Sequence, residues 1–462
     1  MAEMLIDGLN RSAKLFIDRS AVSTVEEAVG KLRGFRMHLF IGEAAAASAT
    51  HQAALLTALN CGRRTFLGGV TVSGALDAPL AVAATQDVTL AEAVRRLQGE
   101  VVDAIAEGAP LVSIGAPPAI DPPDFAIRTT FDGWRGGVTL FGAPPLSEAV
   151  EFAPSGVLAG ALAVSEVFAH FDGEAMAGYR TIGLSLWDQA AAADWRSPAS
   201  DGAAPALLPA DFWIIGLGHL GQAFLWTIGL LPFAAPSDVR VFLQDIDVAG
   251  KSTESTSVLT GAADEGRLKT RICADWAEAR GFSTRLVERR FATDMRVAND
   301  EPLLALCGVD NSQARAILEG AGFATIFEAG LGSGSEDFRL IRTHSFPATT
   351  TASQIWAEDV KDEGQLDQDG ATAVPDRPPA YVDLHDRGEL DECGLTRLAE
   401  VAVGAPFVGM VASAMLISQV VRMVVDGARF SVVNADLRAL EHRSLVPMAT
   451  REIVVFSTSP SK

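Results

Sequence analysis

The chain has 462 residues, of which 48% are hydrophobic and 21% charged, and its formal net charge is −21 at pH 7. Such a composition is typical of a globular protein with roughly two or three domains, and it excludes extensive intrinsic disorder. The strong negative charge disfavours nucleic acid and anionic membranes as general partners, because both carry charge of the same sign.

Cysteine usage and the absence of targeting patterns predict a cytoplasmic protein with free thiols. No pair of cysteines is spaced as CxxC, and no Cys/His cluster has the spacing of zinc ligands. The first residues lack the pattern of a signal peptide. The most apolar stretch, 408–425, contains Ser413, Gln419 and Arg422, so we expect a buried helix there and no membrane span. The four cysteines are Cys61, Cys273, Cys307 and Cys393.

The first half of the chain, residues 1–197, alternates strand-like runs with Ala-rich helical stretches. Met37–Ile41 and 137–141 are the clearest strand candidates. Alternation of this kind predicts a layered α/β domain. Small residues, Gly and Pro are frequent in the next segment, and residues 198–209 are therefore predicted to be a linker.

The second half, residues 210–462, has the pattern of an open parallel sheet with crossover helices. Strand-like runs recur at intervals that leave room for helices between them, which favours a Rossmann-type fold. Residues 358–392 break this pattern because they are acidic and contain Pro and Gly, and we expect a long loop there. The strand candidates are 212–215, 239–243, 302–307 and 324–328.

Each half also carries a small-residue helix pattern near its end, at 156–168 and at 407–416. We interpret the pair as a trace of duplication, in which the two halves are distant copies of one unit. Buried Ala-rich helices also look alike without common origin, and this alternative stays open.

The sharpest local motif is Gly216-Leu217-Gly218-His219-Leu220-Gly221, which follows an apolar run and opens a helix pattern. In this context the first glycine permits a tight turn, the second lets phosphate approach the backbone, and the third allows close helix–strand packing. The free N–H groups and the dipole at the helix start favour an anion. The motif therefore predicts nucleotide binding, with a purely structural Gly-rich turn as the alternative.

Charged residues follow at positions that suit a nucleotide. Asp245 and Asp247 come at the end of the next strand candidate, where a carboxylate can hydrogen-bond the ribose hydroxyls. Lys269 starts a later helix pattern, where it could pair with phosphate oxygens. The alternatives are a solvated pair of strand-end carboxylates and a surface lysine.

Asp310 follows a third apolar strand candidate, in the segment Cys307-Gly308-Val309-Asp310-Asn311. A carboxylate at that edge could hold Mg²⁺. The alternative is that Asp310 caps the helix that begins after it, and one aspartate could not easily serve both purposes.

In this order and spacing, these motifs resemble the adenylating domain of the ubiquitin-activating superfamily, which includes the ThiF and MoeB proteins. The resemblance covers about 210–430 and extends through a strand–glycine–strand unit at 326–341. Cys393 lies after the acidic segment and before 405–409, where members of this superfamily place their catalytic cysteine.

The resemblance implies binding of ATP·Mg²⁺, adenylation of the C-terminal glycine of a ubiquitin-like or sulfur-carrier-like protein, and transfer of the acyl group to Cys393 as a thioester. It implies that 1–197 is a degenerate, inactive adenylation half in a pseudodimer, and that 358–392 is the crossover loop over the carrier's tail. Members of the family supply an arginine from near the start of the opposite half, for which Arg11 is the candidate by position. A conjugating enzyme and a bacterial operon of the antiviral-defence kind are further implications.

The sequence also departs from the superfamily pattern. Relatives carry an Asn and an Arg that contact ATP shortly after the D-x-D pair, whereas this chain has Lys251-Ser252-Thr253-Glu254-Ser255-Thr256-Ser257 there. Lys251 is the candidate substitute for the missing cation. Because of this loss, a nucleotide-binding pseudoenzyme that serves as a scaffold is one alternative function. An NAD-dependent oxidoreductase is another, since NAD fits the same glycine motif.

Overall fold

Two β-sheets, one in each half of the chain, form the framework of the protein. The computed structural model describes residues 6–190, 194–361, 377–425, 429–448 and 456–461. The strands of the first half are β1 Met37–Ile41, β2 Val70–Gly74, β3 Glu100–Val101, β4 Leu111–Ile114, β5 Ala126–Asp132, β6 Arg135–Leu140 and β7 Ile182–Ser185. Its helices are α1 Arg11–Asp18, α2 Val25–Gly34, α3 Glu43–Ala46, α4 Ala49–Thr65, α5 Leu90–Arg96 and α6 Ala153–Phe171.

The second half is built in the same way. Its strands are β8 Leu208–Pro209, β9 Asp211–Ile215, β10 Arg240–Gln244, β11 Ser283–Val287, β12 Leu304–Cys307, β13 Thr325–Leu331, β14 Leu340–Phe346, β15 Arg429–Asp436, β16 Ser444–Met448 and β17 Ser457–Thr458. Its helices are α7 His219–Gly229, α8 Lys269–Glu278, α9 Ser312–Ala316, α10 Ala352–Ile355, α11 Pro379–Asp386, α12 Glu392–Glu400 and α13 Pro406–Val424.

The two sheets share one topology. The first has the strand order β3-β2-β1-β4-β5-β6-β7, and the second has β11-β10-β9-β12-β13-β14-β15 with β16 added at its edge. In each sheet the first five strands in chain order are parallel and the later ones are antiparallel. The expected α/β fold, a Rossmann-like domain preceded by a related half, is thereby confirmed.

The two small-residue helix patterns correspond to α6 and α13, which occupy equivalent places before β7 and β15. Both are buried along almost their whole length, and they pack against each other where the halves meet. Helix α6 also packs closely on α4, since a Cβ on Gly156 would lie 2.2 Å from the Thr50 carbonyl oxygen of α4. By length and hydropathy both helices could cross a membrane, but 89% of each such window is buried in the protein.

The predicted loop at 358–392 is only partly a loop. Residues 379–386 form α11, because Ala380, Tyr381 and Leu384 all face the core. The carboxylates around these few apolar residues hide the helical pattern in the sequence. Residues 362–376 of the same prediction lie outside the described residues.

The predicted linker at 198–209 does not stay irregular to its end. Leu208 and Pro209 form β8, which pairs antiparallel with β17 from the end of the chain. Asp201 within the linker accepts a hydrogen bond from the backbone N–H of Trp134, at 2.9 Å. The segment is thus attached to both halves.

Candidate nucleotide-binding site

The glycine motif forms the loop between β9 and α7. Gly216 has φ +79°, a left-handed conformation that favours glycine, and a Cβ there would lie 2.8 Å from the Val309 side chain. A Cβ on Gly221 would lie 1.9 Å from the Gly216 carbonyl oxygen, so that position also requires glycine. Gly218 faces open space, with nothing within 4 Å of an added Cβ. The loop therefore presents bare backbone and a helix N-terminus to an open volume.

Asp245 ties this loop to the end of β10. One carboxylate oxygen accepts the Leu217 backbone N–H at 2.6 Å, and the other accepts the Asp247 backbone N–H at 2.8 Å. The residue is 8% exposed. Asp245 therefore shapes the loop as well as lying beside it.

Asp247 and Lys269 form an ion pair next to Asp245. The Lys269 ammonium lies 2.8 Å from an Asp247 carboxylate oxygen, and the Lys269 backbone N–H donates to the Asp247 carbonyl at 3.0 Å. Lys269 is the first residue of α8. An anion at the loop would compete with Asp247 for this ammonium group.

Asp310 is an exposed residue in the loop after β12. The cap of α9 is its neighbour Asn311, whose side chain accepts the Ala314 backbone N–H at 2.8 Å. The sequence left open whether Asp310 caps the helix, and the structure assigns that duty to Asn311. The Asp310 carboxylate is therefore available for another partner.

A buried charge network holds the loop that carries Asp310. Arg315 donates two hydrogen bonds to the Val309 carbonyl, at 2.9 and 2.7 Å. Its guanidinium also lies 3.3 Å from Glu328, which pairs with His344 at 2.7 Å. This network was not foreseen from the sequence, because its members come from three separate elements.

Arg11 reaches this site from the other half of the chain. It is the first residue of α1, its backbone N–H donates to the Ser255 hydroxyl at 3.3 Å, and its guanidinium donates to the Ala402 carbonyl at 3.4 Å. Burial lowers the pKa of Arg11, and the charge of Asp310 opposes part of that shift. Arg11 thus lies close enough to Asp310 for the two charges to interact.

Helix α4 of the first half binds residues 251–260, which include the segment that differs from the superfamily pattern. Residues Lys251–Ser255 form a 3₁₀ helix. Arg63 pairs with Glu254 at 2.9 Å, and the buried Arg64 donates to the carbonyls of Val258 and Thr260 at 2.9 and 2.8 Å. This contact could not be predicted from the sequence, since its partners are about 190 residues apart.

His219, inside the glycine motif, packs against the start of α13. A Cβ on Gly409 would lie 2.4 Å from the His219 Nε2, so the imidazole occupies space that a side chain at 409 would fill. Burial lowers the pKa of His219 to about 4, and the nearby backbone of Pro406 and Ala405 opposes this shift. The ring is therefore neutral at neutral pH.

Cys393 is the second residue of α12 and is exposed, whereas the other three cysteines are buried. Burial raises the pKa of Cys61 and of Cys307 to about 12 and also raises the pKa of Cys273. The described contacts do not place Cys393 beside the glycine loop.

Helix α12, which carries Cys393, and the preceding helix α11 both contact the first half of the chain. The Tyr381 hydroxyl of α11 donates to Asp18 at 3.0 Å, and Lys14 donates to the Ala399 carbonyl at 3.5 Å. Both partners belong to α1, which also carries Arg11. One helix therefore contacts both the glycine-loop site and the cysteine helices.

Solved structures with a detectable likeness include Escherichia coli MccB with ATP, at 10% identity and a TM-score of 0.31. Another is MccB with AMPCPP and MccA, at 12% identity and a TM-score of 0.32. The alignments cover 52% and 54% of this chain and 65% and 66% of the MccB chains, which is less than two thirds of MccB.

Two family profiles match the chain, one in each half. The BilD N-terminal domain matches residues 36–186, and the BilD C-terminal domain matches residues 208–427. A full-length relative, the bacterial E1-like protein BilD of Collimonas sp. (strain OK412), is 40% identical over 435 residues, which are 94% of this chain and 92% of the relative. The chain therefore belongs to the BilD family of bacterial E1-like proteins.

Proposed function

We propose that this protein uses ATP to adenylate the C-terminus of a ubiquitin-like or sulfur-carrier-like protein and then accepts the acyl group on Cys393. The observation that supports this best is a convergence at one edge of the second sheet. The open glycine loop, the exposed Asp310 and Arg11 from the opposite half all lie there. Phosphoryl chemistry needs anion-binding backbone, a metal-binding carboxylate and a cation close together.

In this proposal the nucleotide occupies the volume in front of Gly218. The backbone amides of the loop and the N-terminus of α7 bind phosphate oxygens, as helix starts do for anions. Asp245 accepts hydrogen bonds from the ribose hydroxyls. Before the nucleotide binds, Asp247 holds the ammonium group of Lys269 in an ion pair. When the nucleotide binds, the ammonium group leaves Asp247 and pairs with a phosphate oxygen.

Asp310 fits the role of a magnesium ligand. Mg²⁺ in nucleotide sites is usually bound by one or two carboxylates together with phosphate oxygens and water. No group of three or more acidic, His or Cys side chains with metal-site geometry occurs among the described residues. The metal would therefore depend on the nucleotide for further ligands and would neutralise phosphate charge when bound.

The first step forms an acyl adenylate. A carboxylate oxygen of the carrier's C-terminal residue attacks the α-phosphorus of ATP, the bond from that phosphorus to the bridging oxygen breaks, and pyrophosphate leaves. Negative charge builds up on the phosphoryl oxygens during this step. We assign the stabilisation of that charge to Arg11, since this chain lacks the Asn and Arg that relatives carry shortly after the D-x-D pair.

The second step forms a thioester. The Cys393 thiolate attacks the acyl carbon, a C–S bond forms, the C–O bond to AMP breaks, and the thiol proton goes to solvent. Cys393 suits this role because it is the exposed cysteine of the four. Its helices must approach the adenylate, or the carrier's tail must reach Cys393. A conjugating enzyme would be the next acceptor, and we expect the pathway to be cytoplasmic.

Pyrophosphate exchange tests the first step directly. With a ubiquitin-like carrier encoded beside the gene, the protein should incorporate labelled pyrophosphate into ATP only when the carrier and Mg²⁺ are present. Arg11→Ala should slow exchange by about 10²–10³-fold, the usual effect of losing one preorganised charge-stabilising group. Arg33→Ala, on an exposed helix end, is the control and should leave exchange unchanged.

A nucleotide-binding scaffold is the second candidate, because the Asn and Arg of active relatives are missing. A scaffold would bind ATP without carrier-dependent exchange, so the same assay separates the two functions. The NAD-dependent oxidoreductase loses support from membership of an E1-like family. ATP·Mg²⁺ should raise the melting temperature more than NAD does, since a ligand that binds only the folded state stabilises it.

A further inference from the structure

Asp310 stands between two residues that hydrogen bonds hold in place. On one side, Arg315 of α9 donates two hydrogen bonds to the Val309 carbonyl oxygen, from Nε at 2.9 Å and from Nη2 at 2.7 Å. On the other side, the Asn311 side chain accepts the Ala314 backbone N–H. Because the peptide group between Val309 and Asp310 is planar, the held carbonyl also fixes the plane from which the Asp310 backbone continues. Arg315 thus constrains Asp310, although no ion pair between described residues joins their side chains.

The loop that carries Asp310 also contacts the glycine motif. A Cβ on Gly216 would lie 2.8 Å from the Val309 side chain, and the Gly308 backbone N–H donates to the Ile215 carbonyl at 2.9 Å. The position of the Asp310 carboxylate relative to the glycine loop therefore depends on where Val309 is held. Mg²⁺ demands near-octahedral ligands at about 2.0–2.1 Å, so a small displacement of this carboxylate would weaken a metal site.

The guanidinium of Arg315 lies in a narrow space between three neighbours. Its face lies over the Trp356 ring, 4.6 Å from the ring centroid. Its Nε lies 3.3 Å from Glu328, and 12% of the side chain is exposed. A Cβ on Gly330 of β13 would lie 3.1 Å from Nη1, so a larger residue there would displace the guanidinium. These contacts leave Arg315 little freedom to turn away from Val309.

Glu328 fixes the orientation of this guanidinium. The side chain is fully buried, with Oε1 facing Arg315 and Oε2 lying 2.7 Å from the His344 Nδ1. Because each carboxylate oxygen faces a different neighbour, Glu328 cannot rotate without losing one of them. A buried ion pair is weak evidence for stability, since the desolvation of the charges offsets much of their attraction. The arrangement is better explained by the orientation that it imposes on Arg315.

We propose that Arg315 is a positioning residue, which holds Asp310 where a nucleotide-bound Mg²⁺ requires a carboxylate. This inference rests on the proposed function, since it assumes that Asp310 binds the metal ion. A planar guanidinium can give two hydrogen bonds to one carbonyl while it stacks on a ring and pairs with a carboxylate, whereas a lysine ammonium keeps the ion pair alone. Arg315→Lys therefore separates the charge of this residue from its positioning effect.

Calorimetric titration of the full chain with ATP, once with Mg²⁺ and once with EDTA, tests the proposal. The ratio of the two affinities measures what the metal contributes to binding. The test variants are Arg315→Lys and Gly330→Ala, of which the second displaces the guanidinium without changing it. The control is Arg342→Lys, the same chemical change at an exposed arginine of β14 that donates to the Asn434 side chain at 2.6 Å.

We expect Arg315→Lys to weaken ATP binding about tenfold with Mg²⁺, the lower end of the usual effect of losing a group that orients a metal ligand, and to leave binding in EDTA unchanged. Gly330→Ala should act in the same direction to a smaller extent, and Arg342→Lys should have no effect. Because Arg315 acts through Asp310, adding Arg315→Lys to Asp310→Asn should cause no further loss. Additive losses would overturn the proposal.

Amide hydrogen exchange provides a readout without any nucleotide. The Gly308 backbone N–H should exchange faster in Arg315→Lys than in the native chain, because the loop is held less firmly, and at the native rate in Arg342→Lys. The melting temperature of Arg315→Lys should stay close to the native value, since the charge beside Glu328 is kept. Unchanged exchange at Gly308, or a large loss of stability in both test variants, would contradict a positioning role.

Failure of this inference and failure of the proposed function give different results. If Mg²⁺ does not strengthen ATP binding by the native chain, Asp310 is not a metal ligand, and the proposed function fails together with the inference. If Mg²⁺ strengthens ATP binding equally in the native chain and in Arg315→Lys, the inference alone is wrong.

Discussion

Asp310 and Asn311 are adjacent residues with separable duties. Asn311 caps α9, and the exposed Asp310 is left for a metal ion. We expect Asp310→Asn to weaken MgATP binding about tenfold, which lowers the stabilisation by saturating MgATP by about 1.4 kcal/mol. Thermal unfolding with and without MgATP measures this effect.

The matched control is Asn311→Ala. It should cost about 1 kcal/mol of stability through loss of the helix cap, yet leave the increment added by MgATP unchanged. If Asp310→Asn keeps the full increment and Asn311→Ala loses it, the metal role assigned to Asp310 is wrong.

Cys393 differs from the other cysteines in its access to solvent. Because Cys61, Cys273 and Cys307 are buried with raised pKa values, iodoacetamide should modify only Cys393 in the native protein. Mass spectrometry before and after unfolding measures the sites modified. With carrier and MgATP, the native chain should form an adduct that thiols cleave, and Cys393→Ala should form none while pyrophosphate exchange continues.

Cys393→Ser sharpens this experiment, since an oxyester at the same position would resist thiols. An adduct that persists in Cys393→Ala would show that another residue is the acceptor. Exchange without any adduct in the native chain would mean that the reaction stops at the adenylate.

His38 links stability to pH. It is fully buried between the hydroxyls of Thr71 and Ser73, each at 2.8 Å, and burial lowers its pKa to about 4. The unfolded chain therefore binds a proton more readily, so this stabilisation is complete above about pH 6.5 and is lost as pH falls towards 4. It amounts to roughly 2–3 kcal/mol.

Denaturant unfolding between pH 7 and pH 4 checks the effect, with His38→Gln compared with His442→Gln at an exposed position. The free energy of unfolding of His38→Gln should fall less steeply with acid than that of the native chain, and the His442 variant should follow the native curve. Identical slopes in all three proteins would contradict this assignment.

Helix α4 holds the two halves together through Arg64, and we call this set of hydrogen bonds the Arg64 brace. Its Arg64 donates to the carbonyls of Val258 and Thr260 and to the Asn60 side chain, and it is almost fully buried. Arg64→Met would remove the described donor to the Thr260 carbonyl and one of the two donors to the Val258 carbonyl, which also accepts from Asn60, and we expect it to lower the free energy of unfolding by about 3 kcal/mol. Equilibrium unfolding in urea measures the loss.

The same variant should loosen the segment 251–260, visible as faster amide hydrogen exchange there than in the native chain. Arg33→Met makes the same chemical change at an exposed end of α2 and should alter stability by less than about 0.5 kcal/mol. Equal effects of the two substitutions would show that the brace contributes little.

The matching topology of the two halves predicts how many nucleotides the whole molecule binds. Only the second half combines an open glycine loop with a carboxylate at the end of its second strand, since Ala75 replaces that carboxylate in the first half. We expect calorimetry to give one MgATP per chain. Asp245→Ala should abolish binding, and Asp77→Ala, which removes a carboxylate just after the corresponding strand β2 of the first half, should leave it intact.

Two bound nucleotides per chain would mean that the first half is not degenerate. If Asp245→Ala still bound MgATP, Asp245 would not be the residue that holds the ribose. Far-UV circular dichroism of both variants is needed, because Asp245 also holds the Leu217 backbone N–H.

Much of this structure could be predicted from local patterns in the sequence. The alternation of strands and helices, the glycine motif and the Asp245–Asp247 pair depend on residues close in the chain, and propensity and period express such patterns directly. Helices α6 and α13 were also foreseeable, because helices buried on every side must be apolar on every side.

Only the tertiary structure decided how distant residues meet. Three contacts join residues that are about 190 to 360 positions apart in the chain. They are the charge interaction of Arg11 with Asp310, the hydrogen bonds of Arg64 to the carbonyls of Val258 and Thr260, and the hydrogen bond from Tyr381 to Asp18. Nothing in local composition selects such partners, since they depend on how the two sheets pack. Helix α11 was missed for the same reason, because three apolar residues among carboxylates become helical once the core covers them. Sequence alone thus determined the two α/β halves and the glycine motif, whereas packing of one half on the other brought the distant residues of the candidate site together.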